Sequence, residues 1–150
     1  MDTFSYSIVD GLKRYTIPEE TIKRLFKSVE ETLPNTYPKP NKVAAAVLTK
    51  KGAIYAGVSY HTDIMSLTMH AEATALAHAA IHGEGEIIAI TGPNCHACKQ
   101  LLWENAIRFG NDIIILIKEV GSIKKIPLSS LMLYAWPENH WKNTKSQGSK

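Results

Sequence analysis

The pattern of apolar and polar positions changes character along the chain. Ile22, Leu25, Phe26 and Val29 recur at intervals of three and four, the spacing of one helix face. Thr16 with Glu19 three residues later has the form of a capping box, so a first helix is predicted to run to about Thr32. Three prolines within residues 33–41 predict an extended connection. The stretches "KVAAAVLT" and "AIYAGVS" flank "KKG", which by length and glycine predicts a strand hairpin. From about Thr68 the alanine-rich "MHAEATALAHAAIHG" predicts a second helix, apolar nearly all round and therefore buried, with Gly83 as its stop. "EIIAIT" has strand length, "CKQLLWENAIRFG" predicts a third helix closed by Gly110, and the β-branched "DIIILIK" predicts a central strand. The link "EVGSIKKI" is too short for a crossover helix, so the fifth strand returns antiparallel to the fourth. "PLSSLMLYAW" predicts a short closing helix. The expected fold is a three-layer α/β/α sandwich around a five-stranded mixed sheet.

A chain of 150 residues with 45% apolar content fills one core, so one domain is expected over residues 1–141. The apolar-free end, "KNTKSQGSK", reads as a flexible tail over residues 142–150. No apolar run approaches the roughly 20 residues of a membrane helix, and the start lacks the pattern of a secretory leader, so a soluble, cytoplasmic protein is expected. The formal charge of +3 comes from basic pairs that are scattered rather than gathered with aromatics. That reads as solvated surface and argues against a nucleic-acid partner.

The chemistry concentrates in two stretches, "HAE" at residues 70–72 and "GPNCHAC" at residues 92–98. Taken alone, the Cys95–Cys98 pair serves redox sites, structural zinc sites and catalytic zinc sites alike. Joined to His70 it changes meaning. His70 is expected in the first turn of the second helix, and the two cysteines straddle the start of the third. Both helix starts can meet at one end of the sheet. A helix N-terminus lowers thiol pKa and favours the thiolates that bind metal. Imidazole with two thiolates is a zinc ligand set, and three protein ligands leave a tetrahedral position for water, as in catalytic sites. Glu72, close to the metal but aimed differently, is then placed to carry protons.

His70-Ala71-Glu72 followed by Cys95-His96-Ala97-Cys98 resembles the zinc-dependent nucleoside and nucleobase deaminases, whose pattern is HxE then PCxxC. "VAAAVLTKKGAIYAG", "CHACKQLLWE" and "PLSSLMLYAWPENH" are similar to the hairpin, the cysteine-bearing helix and the closing segment of the cytidine deaminase family, a resemblance that covers about Val43 to His140. It implies hydrolytic deamination with zinc as cofactor, held by His70, Cys95 and Cys98, and Glu72 as catalytic acid and base. It further implies backbone contacts from Ala71 and Cys95 to the base, and Lys99 offsetting thiolate charge. Trp136 matches an aromatic that reaches a neighbouring subunit's pocket, which implies a homo-oligomer, a tetramer ahead of a dimer.

The chain departs from the family at three places. The Asn and Glu that hold the ribose correspond, by spacing from Glu72, to Ser59 and His61. These two join Ala71 and Trp136 as the candidate substrate-binding residues. The family proline before the first cysteine is displaced, since Asn94 follows Pro93. The expected substrate is a cytidine-like nucleoside. A free base, a modified nucleoside or a blasticidin-type antibiotic is the alternative, behind which stand a polynucleotide deaminase and a non-catalytic zinc module.

Overall fold

Strands form where β-branched and apolar residues run unbroken, and helices where alanine, leucine and long side chains replace them. The computed structural model describes residues 3–38 and 43–146. Its elements are β1 (Tyr6–Val9), β2 (Leu12–Tyr15), α1 (Glu19–Thr32), β3 (Ala44–Thr49), β4 (Ile54–Val58), α2 (Ala71–Ile81), β5 (Ile87–Gly92), α3 (His96–Phe109), β6 (Ile114–Glu119) and β7 (Ser122–Pro127). The main sheet has the order β4-β3-β5-β6-β7. Only β5 and β6 pair in parallel, and β7 returns antiparallel to β6 as expected.

The central strands are apolar on both faces because both are covered. Val47, Ile90, Ile113 and Ile115 pack with Ala75 and Ala79 of α2 and Leu102, Trp103 and Ala106 of α3. Their neighbours Ala46, Leu48, Ile88, Ile114 and Leu116 pack with Ile22 and Leu25 of α1 on the other side. Alternation along each strand therefore feeds two cores, and the result is the predicted α/β/α sandwich. Each fully buried Ile or Leu contributes about 1.5–3 kcal/mol of burial free energy.

Several local expectations are corrected. The capping box at Thr16 does not form: Pro18 is the N-cap of α1, with no side-chain cap. Glu19, the residue that would bond back, instead accepts from Lys125 Nζ of β7 at 2.9 Å. The second helix is not buried all round; Ala71, Glu72, Ala75 and Ala79 form the buried stripe, while Ile81 is exposed. Its close seat on β4 depends on Gly57, where an added Cβ would lie 2.2 Å from Ala75 N and 2.3 Å from Ala71 O. The closing helix shrinks to a 3-10 turn, Leu128–Leu131. Ser129 N and Oγ donate to the carboxylate of Asp112 at 3.0 and 2.6 Å, and Ser130 Oγ donates to Pro127 O, so these serines serve tertiary and turn contacts rather than a helix.

The proline-rich connection begins with a further 3-10 turn, Leu33–Asn35, and its residues 39–41 lie outside the described residues. The β1–β2 hairpin was not anticipated; Asp10 and Gly11 turn it with φ of 51° and 80°. Near the C-terminus a last 3-10 turn spans His140–Ser146, so the expected boundary at 141 falls inside it. Residues 147–150 of the expected tail lie outside the described residues.

Candidate active site

α2 and α3 lie on the same face of the sheet, and each begins at a residue that carries chemistry. His70 is the N-cap of α2, one residue before the first turn rather than within it. Cys95 is the N-cap of α3, and its Sγ accepts from the backbone N of Cys98 at 3.4 Å. Residues at caps have extended backbone, which turns their side chains across the helix start. The two caps therefore bring distant parts of the sequence together. His70 Nδ1 lies 3.4 Å from Cys95 Sγ and 3.3 Å from Cys98 Sγ. The three donor atoms are all within 4.8 Å of one another. Among the described residues this is the group that could hold a metal ion.

The donor set fits zinc. Ordinary Zn–S and Zn–N bonds in a tetrahedron imply donor separations of about 3.6 Å, close to those seen here. His70 and Cys95 are exposed and Cys98 is buried, so the cluster opens to solvent on one side.

Glu72, in the first turn of α2, is only 7% exposed. Its Oε2 lies 3.3 Å from Cys98 Sγ, and its Oε1 accepts from Asn94 Nδ2 at 3.0 Å. The carboxylate thus sits beside the metal-donor cluster without joining it. The expectation of thiols eased into ionisation by the helix start needs correction for Cys98. Burial first, then the bond with Cys95 and the charge of Glu72, push this thiol well above its ordinary value. Desolvation and a nearby anion outweigh the helix dipole at a buried sulfur. A coordinated cation reverses that balance, because a thiol bound to metal is deprotonated outright.

The remaining candidates are distributed around this centre. Ala71 is the fully buried first residue of α2. Ser59, 4% exposed, and the half-buried His61 follow β4. Between them Tyr60 exchanges two backbone bonds with Met69, each 2.9 Å, so this stretch runs beside the residue that precedes His70. Trp136 is 77% exposed and is not brought to the cluster by its own chain; its carbonyl accepts from Gln100 of α3. Lys99 continues α3 with its backbone N on Cys95 O at 2.8 Å. The sequence reading placed Asn94 only as a displaced proline. An amide next to the first cysteine was the available signal, and its bond to Glu72 spans 22 positions.

A three-layer sandwich whose two helix starts gather imidazole, two thiols and a buried carboxylate defines the class of zinc-dependent aminohydrolases. The family model for the cytidine and deoxycytidylate deaminase zinc-binding region matches residues 19–109, and the chain belongs to this family. The chain is similar in structure to cytidine deaminase from Burkholderia pseudomallei, with a TM-score of 0.65 at 23% identity over 80% of this chain and 100% of that one. It is similar to the cytidine deaminase from Mycobacterium tuberculosis, with a TM-score of 0.65 at 20% identity over 78% and 98% of the two chains. The cytidine deaminase from Bacillus anthracis gives 0.58 at 20% identity over 76% and 88%. These likenesses carry the fold. The family match and the His70, Cys95, Cys98 cluster make the chain a zinc-dependent aminohydrolase. No helix among the described residues is long and apolar enough to cross a membrane.

Proposed function

We propose that the chain hydrolyses the exocyclic amino group of a cytidine-like nucleoside to a carbonyl, releasing ammonia. The observation that carries this reading is the buried carboxylate of Glu72 beside the His70, Cys95 and Cys98 donor atoms. Those three residues would hold the zinc, which when bound would supply an acidified water as nucleophile. Glu72 Oε2, 3.3 Å from Cys98 Sγ, would take a proton from the attacking water and deliver it to the ring nitrogen, then take a second from the hydroxyl added to the ring carbon and pass it to the departing amine. The amide of Ala71 belongs to the helix-start N–H groups that lack an intrahelical acceptor, which suits it to a carbonyl of the base. Burial of Glu72 under the start of α2 excludes bulk water from its proton.

Ser59 and His61 are the proposed sugar contacts. Along an extended stretch side chains alternate, so these two face away from Tyr60 and its partner Met69, toward the side of His70. His61 brings no carboxylate to a ribose, and that observation favours, as second reading, an amino-heterocycle with another substituent: a modified nucleoside, a free base or a blasticidin-type compound. Trp136 is proposed to close a neighbouring subunit's pocket in a homo-oligomer, a tetramer ahead of a dimer. We further propose a single domain over residues 1–141 acting in the cytoplasm, where free Cys95 and Cys98 stay reduced.

Ammonia release from zinc-loaded protein, measured over cytidine, deoxycytidine, cytosine and blasticidin S, tests the reading. Cytidine or one of these relatives is expected to turn over, and Glu72→Ala to lose about 10²–10⁴-fold in kcat. Absence of ammonia from every compound overturns it.

A further inference from the structure

Asn94 lies between Pro93 and Cys95, the N-cap of α3. The preceding Pro93 and the following Cys95 already set the chain at the start of α3. Yet Asn94 Nδ2 reaches Glu72 Oε1 at 3.0 Å and Thr91 O at 3.2 Å, while its Oδ1 is buried with no hydrogen-bond partner. The amide cannot be turned over to pair that oxygen. Rotation would set Oδ1 against a carboxylate and a carbonyl, three acceptors together. The orientation that gives Glu72 a donor leaves Oδ1 facing no donor of the described residues. An unpaired buried acceptor costs stability, and such a cost is retained where a group serves a site.

The two oxygens of Glu72 are consequently not equivalent. Oε1 is anchored by Asn94, whose own end is tied to Thr91 O at the end of β5. Oε2 is left beside Cys98 Sγ, at 3.3 Å, on the metal-donor side. We infer that Asn94 is a positioning residue that fixes the Glu72 carboxylate so that Oε2 alone carries the proton of the reaction. This rests on the deaminase reading of Glu72. It adds a tether that runs from the strand end, through Asn94, to the catalytic carboxylate.

Zinc-loaded Asn94→Asp and Asn94→Ala, with cytidine as the probe, test the assignment. Asp keeps the shape and sets a second carboxylate against Glu72 where the donor was, while Ala removes the side chain, so the two variants differ in packing and in charge. Both variants are expected to retain zinc at the wild-type ratio and a KM within about threefold of wild type, while kcat falls about 10- to 100-fold, more in Asn94→Asp. An unchanged kcat, or a rise in KM with kcat preserved, overturns the inference. A second readout does not depend on turnover. The melting temperatures of Asn94→Ala, Glu72→Ala and the double variant are expected to be non-additive, as for residues in direct contact. Additive shifts overturn the tether even if cytidine is not a substrate. If wild type releases no ammonia from cytidine, deoxycytidine, cytosine or blasticidin S while the shifts remain non-additive, the deaminase reading fails and the contact stands.

Discussion

Cys98 and Glu84 show how differently one side chain can be set by its surroundings. Cys98 is buried next to a carboxylate and its thiol is pushed up, burial first; a bound metal cation would deprotonate it. Cys98→Ser is therefore expected to lower bound zinc below one tenth of an equivalent after dialysis, while Lys99→Ala leaves it unchanged; metal analysis by mass spectrometry checks both. Glu84 lies outside the site, at the end of α2. The Tyr55 hydroxyl, then the Thr49 hydroxyl, hold its carboxyl below the ordinary value of 4.5. A depressed carboxylate contributes stability above its unfolded pKa and loses it as pH falls through the folded value. Tyr55→Phe should thus be less stable than wild type at pH 7, and the gap should close below the ordinary carboxylate range. Urea unfolding at two pH values reads this directly. His70, Glu72, Cys95 and Cys98 were legible in the sequence because metal chemistry demands those residue types at helix starts. The reach of Asn94 was not, because nothing local announces a partner 22 positions away.

At the scale of elements, the sequence was most legible where one periodicity ran long enough. α1, α3 and the central strands β5 and β6 follow from apolar runs and spacings that bury a face, whereas β3 and β4 follow from their glycine turn and β7 from the shortness of its link to β6. It was least legible where tertiary partners override a local rule: Glu19 leaves its capping role for Lys125, and Ser129 leaves a helix for Asp112. The β1–β2 hairpin did carry a signal, Asp10-Gly11, but its four-residue strands are too short for alternation to stand out. The seat of α2 on β4 gives the element-scale prediction. Gly57→Ala puts a methyl group into the backbone of α2 and must push its first turns away from the sheet. Overpacking costs about 1–3 kcal/mol, or roughly 2–4 °C of Tm per kcal/mol for a chain of this size. Because His70 caps those turns and Glu72 sits on them, zinc affinity should fall with Tm, whereas Gly83→Ala at an open position should lower Tm alone. Calorimetry with competitive zinc titration separates the two.

Across the described residues, β2 and the 3-10 turn that holds Trp141 both pack near the end of α3. Arg14 of β2 donates to Asp112 Oδ2 at 3.1 Å, and Asp112, 1% exposed, also takes the two bonds from Ser129. Trp141 donates from Nε1 to Ile107 O and stacks its ring over Gly110, while its backbone lies against Gly11. The opposite balance holds elsewhere on the surface. Ile64, Met65 and Leu67 before α2, and Leu133, Tyr134 and Trp136 after β7, are exposed by 60% or more. Exposed apolar side chains grouped within a few residues of one another are what an interface between chains would cover. They are the features expected to be covered by further copies of the chain, in line with the proposed homo-oligomer. Light scattering on a sizing column should give a mass of four chains, or of two. Leu133→Asp with Tyr134→Asp should shift it to one chain while the circular dichroism stays native-like, because neither residue contributes to either core. If Trp136 acts in a neighbour's pocket, Trp136→Ala should raise KM for the substrate without releasing zinc. A wild-type mass of one chain would remove the oligomer and the role of Trp136 together, leaving Glu72 and the zinc ligands as they are.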